Sequence, residues 1–110
     1  MARRLLTDFE LMILLAILRV GDDAYGVRIA RELEETAGRS AQLAAIYAAL
    51  DRMESRGLVG SSLGDPTPER GGRAKRLFRV TPKGLDQTKD TQQALTALWS
   101  SLPQLRGGRA

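Results

Sequence analysis

From Leu11 to Leu18 every residue is apolar, and the four residues ahead of the run, Thr7-Asp8-Phe9-Glu10, spell a capping box. The Thr7 hydroxyl is placed to accept from the amide at the third helical position while Glu10 reaches back to the cap. Leu6 and Leu11 stand at the staple positions on either side. A helix is therefore predicted from Asp8 to Arg19, stopped by Gly21. A helix that is apolar on every face asks for burial all round. A chain of 110 residues rarely surrounds a helix completely, so the pattern implies a second subunit.

A different rhythm follows. Tyr25, Ile29, Leu33 and Ala37 recur every four residues, with Arg28, Arg31, Glu32 and Glu35 on the outside. This predicts a second helix, capped by Asp22 or Asp23 and ended by Gly38. After a short turn over Arg39 to Gln42, a third helix is predicted from Leu43 to Arg56, with Leu43, Ile46, Leu50 and Met53 facing the core and Gly57 closing it. Two helices joined by a tight Gly-containing turn, the second with small and polar residues outward, are what a helix-turn-helix needs.

Period two then replaces period four. Leu58 to Leu63 and Arg73 to Val80 are predicted to be the strands of a hairpin, with Phe78 and Val80 on one face and Leu77 and Arg79 on the other. Thr81-Pro82 starts a last helix, Thr as cap and Pro at the first helical position. Its first half is polar; its second carries a one-sided stripe of Leu95, Leu98, Trp99 and Leu102 before Pro103 stops it. Helix, helix, helix, hairpin, helix is the order of a winged helix-turn-helix with an added C-terminal helix. The expected fold is thus mostly α (α+β), with a two-stranded wing. Residues 1–80 form the winged helix-turn-helix, 81–103 the C-terminal dimerisation helix, and 104–110 a disordered tail.

Charge adds a location to this frame. Of the 17 basic residues, Arg70, Arg73, Lys75, Arg76, Arg79 and Lys83 fall between Gly64 and Lys83, against only Asp65 and Glu69, a surplus equal to the whole net charge of +4. Positive charge gathered on one loop suits a polyanion, most often nucleic acid; alternatively it is an ordinary solvated basic hairpin. The chain contains no Cys and no His. That argues against a disulfide framework, a metal site and the commonest general base together, and no cofactor is expected. Asp22-Asp23 and Glu34-Glu35 read as helix-start and solvated-face residues, and Gly71-Gly72 lacks the spacing of a nucleotide loop. Arg3-Arg4 ahead of an apolar run has the look of a signal peptide, but Asp8 and Glu10 interrupt it and no cleavage site follows. Eight apolar residues are also too few to span a bilayer. No membrane partner is expected, and a soluble, intracellular protein is.

The ordered set of motifs resembles the PadR family of bacterial transcriptional regulators. The resemblance runs from Leu6 to about Gln87. It is carried by Asp23-Ala24-Tyr25-Gly26 with Ile29; by Ile46-Tyr47-Ala48-Ala49-Leu50-Asp51-Arg52-Met53-Glu54 with Gly57-Leu58-Val59; by Glu69-Arg70-Gly71-Gly72-Arg73-Ala74-Lys75-Arg76-Leu77-Phe78; and by Val80-Thr81-Pro82-Lys83-Gly84. It implies a cytoplasmic homodimer that binds a palindromic operator on double-stranded DNA, usually as a repressor, and lets go on meeting an effector. One departure is visible. Many members begin the third helix with Gly-Thr and follow its Tyr with Pro, where this chain has Ala44-Ala45 and Ala48. Ala45 neither caps a helix nor touches a phosphate, which leaves Ser40 and Gln42 to supply polar groups.

Site residues follow from this frame. In the major groove the third helix would present Ala44, Ala45, Tyr47, Ala48 and Arg52, preceded by Ser40 and Gln42. The alanines either meet thymine methyls or are simply good helix formers, and Arg52 has Asp51 and Glu54 as alternative partners. Tyr25 packs under its own helix or touches phosphate. On the wing, Arg70, Gly72, Arg73, Lys75 and Arg76 are the candidates for phosphate or minor-groove contact. Phe9, Met12 and Ile13 are expected to meet Leu95, Leu98, Trp99 and Leu102 across the dimer. Trp99 is either dimer core or, as the resemblance implies for some short members, the lining of a space for a small hydrophobic effector. Two other classes stay open: a winged-helix protein-interaction module, and an enzyme, which the missing His and Cys disfavour.

Overall fold

The computed structural model describes residues 4–64 and 75–108, with side chains as far as 105. Helix α1 spans Asp8–Val20, a 3-10 turn Gly21–Asp23, α2 Gly26–Ala37 and α3 Leu43–Ser55. Strands β1, Val59–Leu63, and β2, Arg76–Val80, pair antiparallel from Val59 opposite Val80 to Leu63 opposite Arg76. Helix α4, Pro82–Trp99, and a short 3-10 helix, Pro103–Gly108, complete the chain. This is the mostly helical winged helix-turn-helix expected.

Local signals act where they were read. Thr7 Oγ1 accepts from the Glu10 amide at 3.2 Å, and Glu10 Oε1 accepts from the Thr7 amide at 3.0 Å. The other oxygen of Glu10 accepts from Arg56 Nη1 at 2.9 Å, so the capping residue also ties α1 to the end of α3. Thr81 caps α4 by accepting from the Gly84 amide at 3.0 Å, with Pro82 at the first position. Ile13, Leu14, Ile29, Ile46, Leu50, Met53 and Leu58 are fully buried where the three helices meet the hairpin. Each such side chain contributes about 1.5–3 kcal/mol from removal of its apolar surface from water. Phe78 carries the hairpin into this core, and its amide donates to the Ala24 carbonyl at 2.9 Å.

Several expectations need correction. The aspartates cap no α-helix: they lie in the 3-10 turn, and α2 starts at Gly26 with Tyr25 as its cap, because Ala24 and Tyr25 are engaged with β2 instead. Glu32 is buried rather than outside, since the end of α1 delivers Arg19 to it: Arg19 Nε lies at 2.7 Å, Thr36 Oγ1 at 2.6 Å and Arg28 Nη1 at 3.2 Å. The Thr36 hydroxyl, then Arg19, hold its carboxyl at about 2. Leu43 is exposed at the projecting start of α3, and Ala49 takes a core position in its place. Ala37 is exposed at the last turn of α2. Ile13 is wholly enclosed within the fold and has no surface to offer a partner; Leu15 and Leu18 are the exposed apolar residues of α1. Of the strand expected from Arg73, Arg73 and Ala74 lie outside the described residues, and β2 is seen from Arg76. Of the tail expected to lack structure, residues 104–108 belong to the closing 3-10 helix and 109–110 lie outside the described residues.

Candidate nucleic-acid interface

Helix α3 turns Ile46, Ala49, Leu50 and Met53 inward, and the helical period leaves Ala44, Ala45, Ala48, Asp51 and Arg52 exposed along the opposite face. The turn that aims it depends on Gly38, whose φ of 66° closes α2 in the left-handed region where a side chain is strained. At its start, the Gln42 carbonyl accepts from the Ala45 and Ile46 amides at 3.0 and 3.1 Å, but no side chain caps the helix. Ser40 instead donates to Glu34 at 3.4 Å, and the Gln42 side chain is exposed. Of the first-turn amides of α3, those of Leu43 and Ala44 donate to no described group and are left for an outside acceptor.

Tyr47 stands between core and surface. Its ring is half-buried, 6.4 Å from that of Phe78 and tilted by 51°, and its hydroxyl end lies over Gly26. A Cβ on Gly26 would come within 2.5 Å of Tyr47 Cζ. The sequence carries Tyr25-Gly26 as a motif without its reason, which is that α2 must begin with a glycine to seat the Tyr47 ring. Gly26→Ala is expected to swing that ring outward, costing about 1–2 kcal/mol of stability. It should also weaken DNA binding more than Tyr47→Phe does, as titrations of both variants against one duplex will show.

On the wing, Arg70, Gly72 and Arg73 lie outside the described residues. Lys75 Nζ sits 3.4 Å from Asp23 and 4.3 Å from the centre of the Tyr25 ring, a cation–π contact that accounts for half-buried Tyr25. Arg76 Nη2 lies 2.7 Å from Glu54 and 3.2 Å from Asp51. The two acids that the sequence offers Arg52 are thus taken by Arg76, and Arg52 is exposed without an ion pair to any described residue. Glu54 also accepts from the Ser61 hydroxyl at 2.8 Å. That hydroxyl first, then the Arg76 guanidinium, hold its carboxyl below the usual range against the desolvation that raises it. Neither Glu54 nor Ser61 stands out in the sequence as a site residue, because neither belongs to a charge run or an apolar face.

Away from this face, α4 leaves the body of the domain after Thr91, whose hydroxyl accepts from the Leu6 amide at 3.0 Å. Leu98 is 71% and Trp99 60% exposed, and Leu95 and Leu102 are exposed beside them. Phe9 and Met12 are half-buried, Phe9 beneath the Arg39 guanidinium at 4.8 Å. An apolar groove of about 310 Å³ runs between α1 and α2, lined by Met12, Leu15, Ala16, Leu33 and Ala37 with Glu32 at its edge. A second, of about 370 Å³, is lined by Gln92, Leu95, Thr96, Trp99 and Ser100. Among the described residues no group of three or more acidic residues is placed to hold a metal ion, and no helix is long and apolar enough to cross a membrane.

Comparison with known proteins agrees with the geometry. Among solved structures, a PadR-like transcriptional regulator from Bacillus cereus superposes with a TM-score of 0.72 at 23% identity, covering 92% of this chain and 93% of that one. A PadR family transcription regulator from Clostridium difficile gives 0.67 at 26% identity, over 90% of this chain and 99% of that one. A structure described as the complex of hsRosR-S4 gives 0.65 at 28% identity, over 92% and 80%. No curated protein matches the chain. The model of the transcriptional regulator PadR-like family matches residues 14–90, which include α2, α3, both strands and the docked start of α4. With a family match over most of its length and the family's fold throughout, the chain belongs to the PadR-like transcriptional regulators.

Proposed function

We propose that the protein works in the cytoplasm as a homodimeric repressor that binds a palindromic DNA operator and is released by a small hydrophobic effector. Membership of a family of transcriptional regulators supports the regulatory part. The observation that carries DNA binding is the outer face of α3: small alanines that permit close approach, the Leu43 and Ala44 amides with no described acceptor at its start, and Arg52 with no ion pair to a described residue. Such a helix fits a major groove, with Gln42, Tyr47 and Arg52 as base or phosphate contacts and Ser40 beside them. Arg70, Gly72, Arg73 and Lys75 are assigned to phosphates on the wing side. For the dimer, the exposed stripe of α4 is assigned to the partner's α1, where Phe9, Met12, Leu15 and Leu18 are available. The groove beside Trp99 is assigned to the effector.

Salt separates this reading from that of a protein-interaction module. With three to four phosphate contacts per subunit, log K against log[salt] for a duplex should fall with a slope of roughly −5 to −7 for the dimer. A slope near zero would remove the DNA-binding assignment. On the reading helix, Tyr47→Phe and Gln42→Ala should each cost about 1–3 kcal/mol and relax preference at one position in each half-site. If both keep the wild-type ratio between a selected and a scrambled duplex, sequence is read by something other than α3.

A further inference from the structure

The hairpin meets α3 in two ways. One contact is apolar, with Val59 and Phe78 buried, and beside it the Leu58 amide donates to the Met53 carbonyl at 2.9 Å. Apolar burial of this kind is non-directional and by itself sets no angle between ribbon and helix. The other is made by polar side chains and is directional, at the level where Ser61 stands opposite Phe78. Glu54, in the last turn of α3, accepts from Ser61 on β1 at 2.8 Å and from Arg76 on β2 at 2.7 Å. Asp51, one turn earlier, holds the same guanidinium at 3.2 Å, and the guanidinium lies 4.8 Å over the Phe78 ring. One carboxylate thus grips both strands of the wing from the helix that faces DNA.

Two carboxylates on such a face are unfavourable on charge alone, because they repel a polyanion. Their engagement with Arg76 accounts for their presence and also withdraws Arg76 from the set of free phosphate ligands. Resting on the DNA-binding reading above, we propose that Glu54, through Ser61 and Arg76, is the positioning residue that sets the angle of the wing against α3. Sequence-specific binding needs helix and wing to reach the duplex together. Non-specific binding, which only needs positive charge nearby, does not.

The two roles predict opposite signs. Removing a carboxylate that merely repels DNA tightens binding to every duplex. Removing one that positions the wing weakens only specific binding. The test titrates wild type, Glu54→Gln, Ser61→Ala and Arg76→Ala against a 30-bp duplex recovered from a random pool by the wild-type protein, and against a scrambled duplex of the same composition. Glu54→Gln should lose about tenfold in affinity for the selected duplex and bind the scrambled one as well as wild type or better. Arg76→Ala should lower the same ratio while leaving the salt slope unchanged. Half-exposed ion pairs contribute little to stability, so the variants should keep their helical circular dichroism. If Glu54→Gln does not, Ser61→Ala carries the same expectation.

Equal tightening on both duplexes by Glu54→Gln overturns the proposal. So does a slope flattened in Arg76→Ala by about two units per dimer, which would mark Arg76 as a phosphate ligand. If the wild-type protein recovers no duplex, the DNA-binding reading falls and this inference with it. If it recovers one and Glu54→Gln keeps the wild-type ratio, this inference alone falls.

Discussion

Replacing Leu98 and Leu102 together by Lys is expected to give a monomer that has lost at least a hundredfold in affinity for the operator. In the single subunit Leu98 is 71% exposed, and Leu95, Trp99, Leu102 and Leu105 stand exposed near it on an arm that leaves the body after Thr91. An exposed apolar stripe of this extent marks an interaction surface. Burial of a leucine is worth about 1.5–3 kcal/mol, so two leucines in each of two subunits amount to the larger part of an ordinary dimer affinity. Lysine in those places also sets four charges into one interface. The DNA effect follows from geometry rather than contact: a dimer engages its second half-site as an intramolecular event, an advantage of about 10² to 10⁴ that a monomer lacks. Sedimentation velocity at micromolar concentration and a binding titration on the same samples provide the check. The changed residues pack little against their own subunit, so loss of the dimer does not require loss of the fold, unless the monomer is unstable on its own. A folded dimer would place the interface elsewhere and withdraw the assignment of α4 to α1 of the partner.

Gly84→Ala is expected to be the most damaging glycine-to-alanine change among the described residues. A Cβ there would run into the Leu58 carbonyl oxygen and lie 2.8 Å from Val80 Cγ1 and 3.1 Å from the Leu58 carbonyl carbon. A side chain can rotate out of such an overlap, as the Tyr47 ring can from Gly26, but backbone cannot. The start of α4 would have to lift away from β1, stretching the Thr81 amide's bond to the Leu58 carbonyl at 3.0 Å and the Thr81 hydroxyl's bond to the Gly57 carbonyl at 2.6 Å. Overpacking against fixed atoms costs about 3 kcal/mol at the upper end of the usual range. For a domain of this size that lowers Tm by roughly 15 °C. Urea denaturation of Gly84→Ala beside the wild-type protein measures it. A shift below about 1 kcal/mol would mean that α4 does not dock as closely as described.

Features that depend on neighbours in the chain are legible in the sequence itself. Thr7 and Glu10 form both halves of the capping box, Gly21 and Gly38 end their helices at positive φ, and Thr81-Pro82 starts α4. Each is decided by backbone groups within about four residues, so residue type and spacing suffice. The alternation around Phe78 and the order of the elements are legible for the same reason, and with them the winged helix-turn-helix.

What the chain could not disclose is which face of a uniformly apolar helix turns inward, and which partner a charge chooses. Ile13 and Leu15 are chemically alike, yet only the packing of α2, α3, β2 and α4 against α1 encloses the first and leaves the second exposed. Glu32 has the sequence context of a solvated residue, but the end of α1 brings Arg19 to it across 13 positions. Arg76 has Glu54 as its partner 22 positions away, although Arg52 is nearer in sequence to the same acid. Gly84 is required by the carbonyl of Leu58, on the far side of the whole hairpin in sequence. In each case the deciding contact is between groups far apart along the chain. Hydrophobic pattern and capping chemistry, which act over one or two turns, therefore settle the elements and their order, and close packing in three dimensions settles the partners.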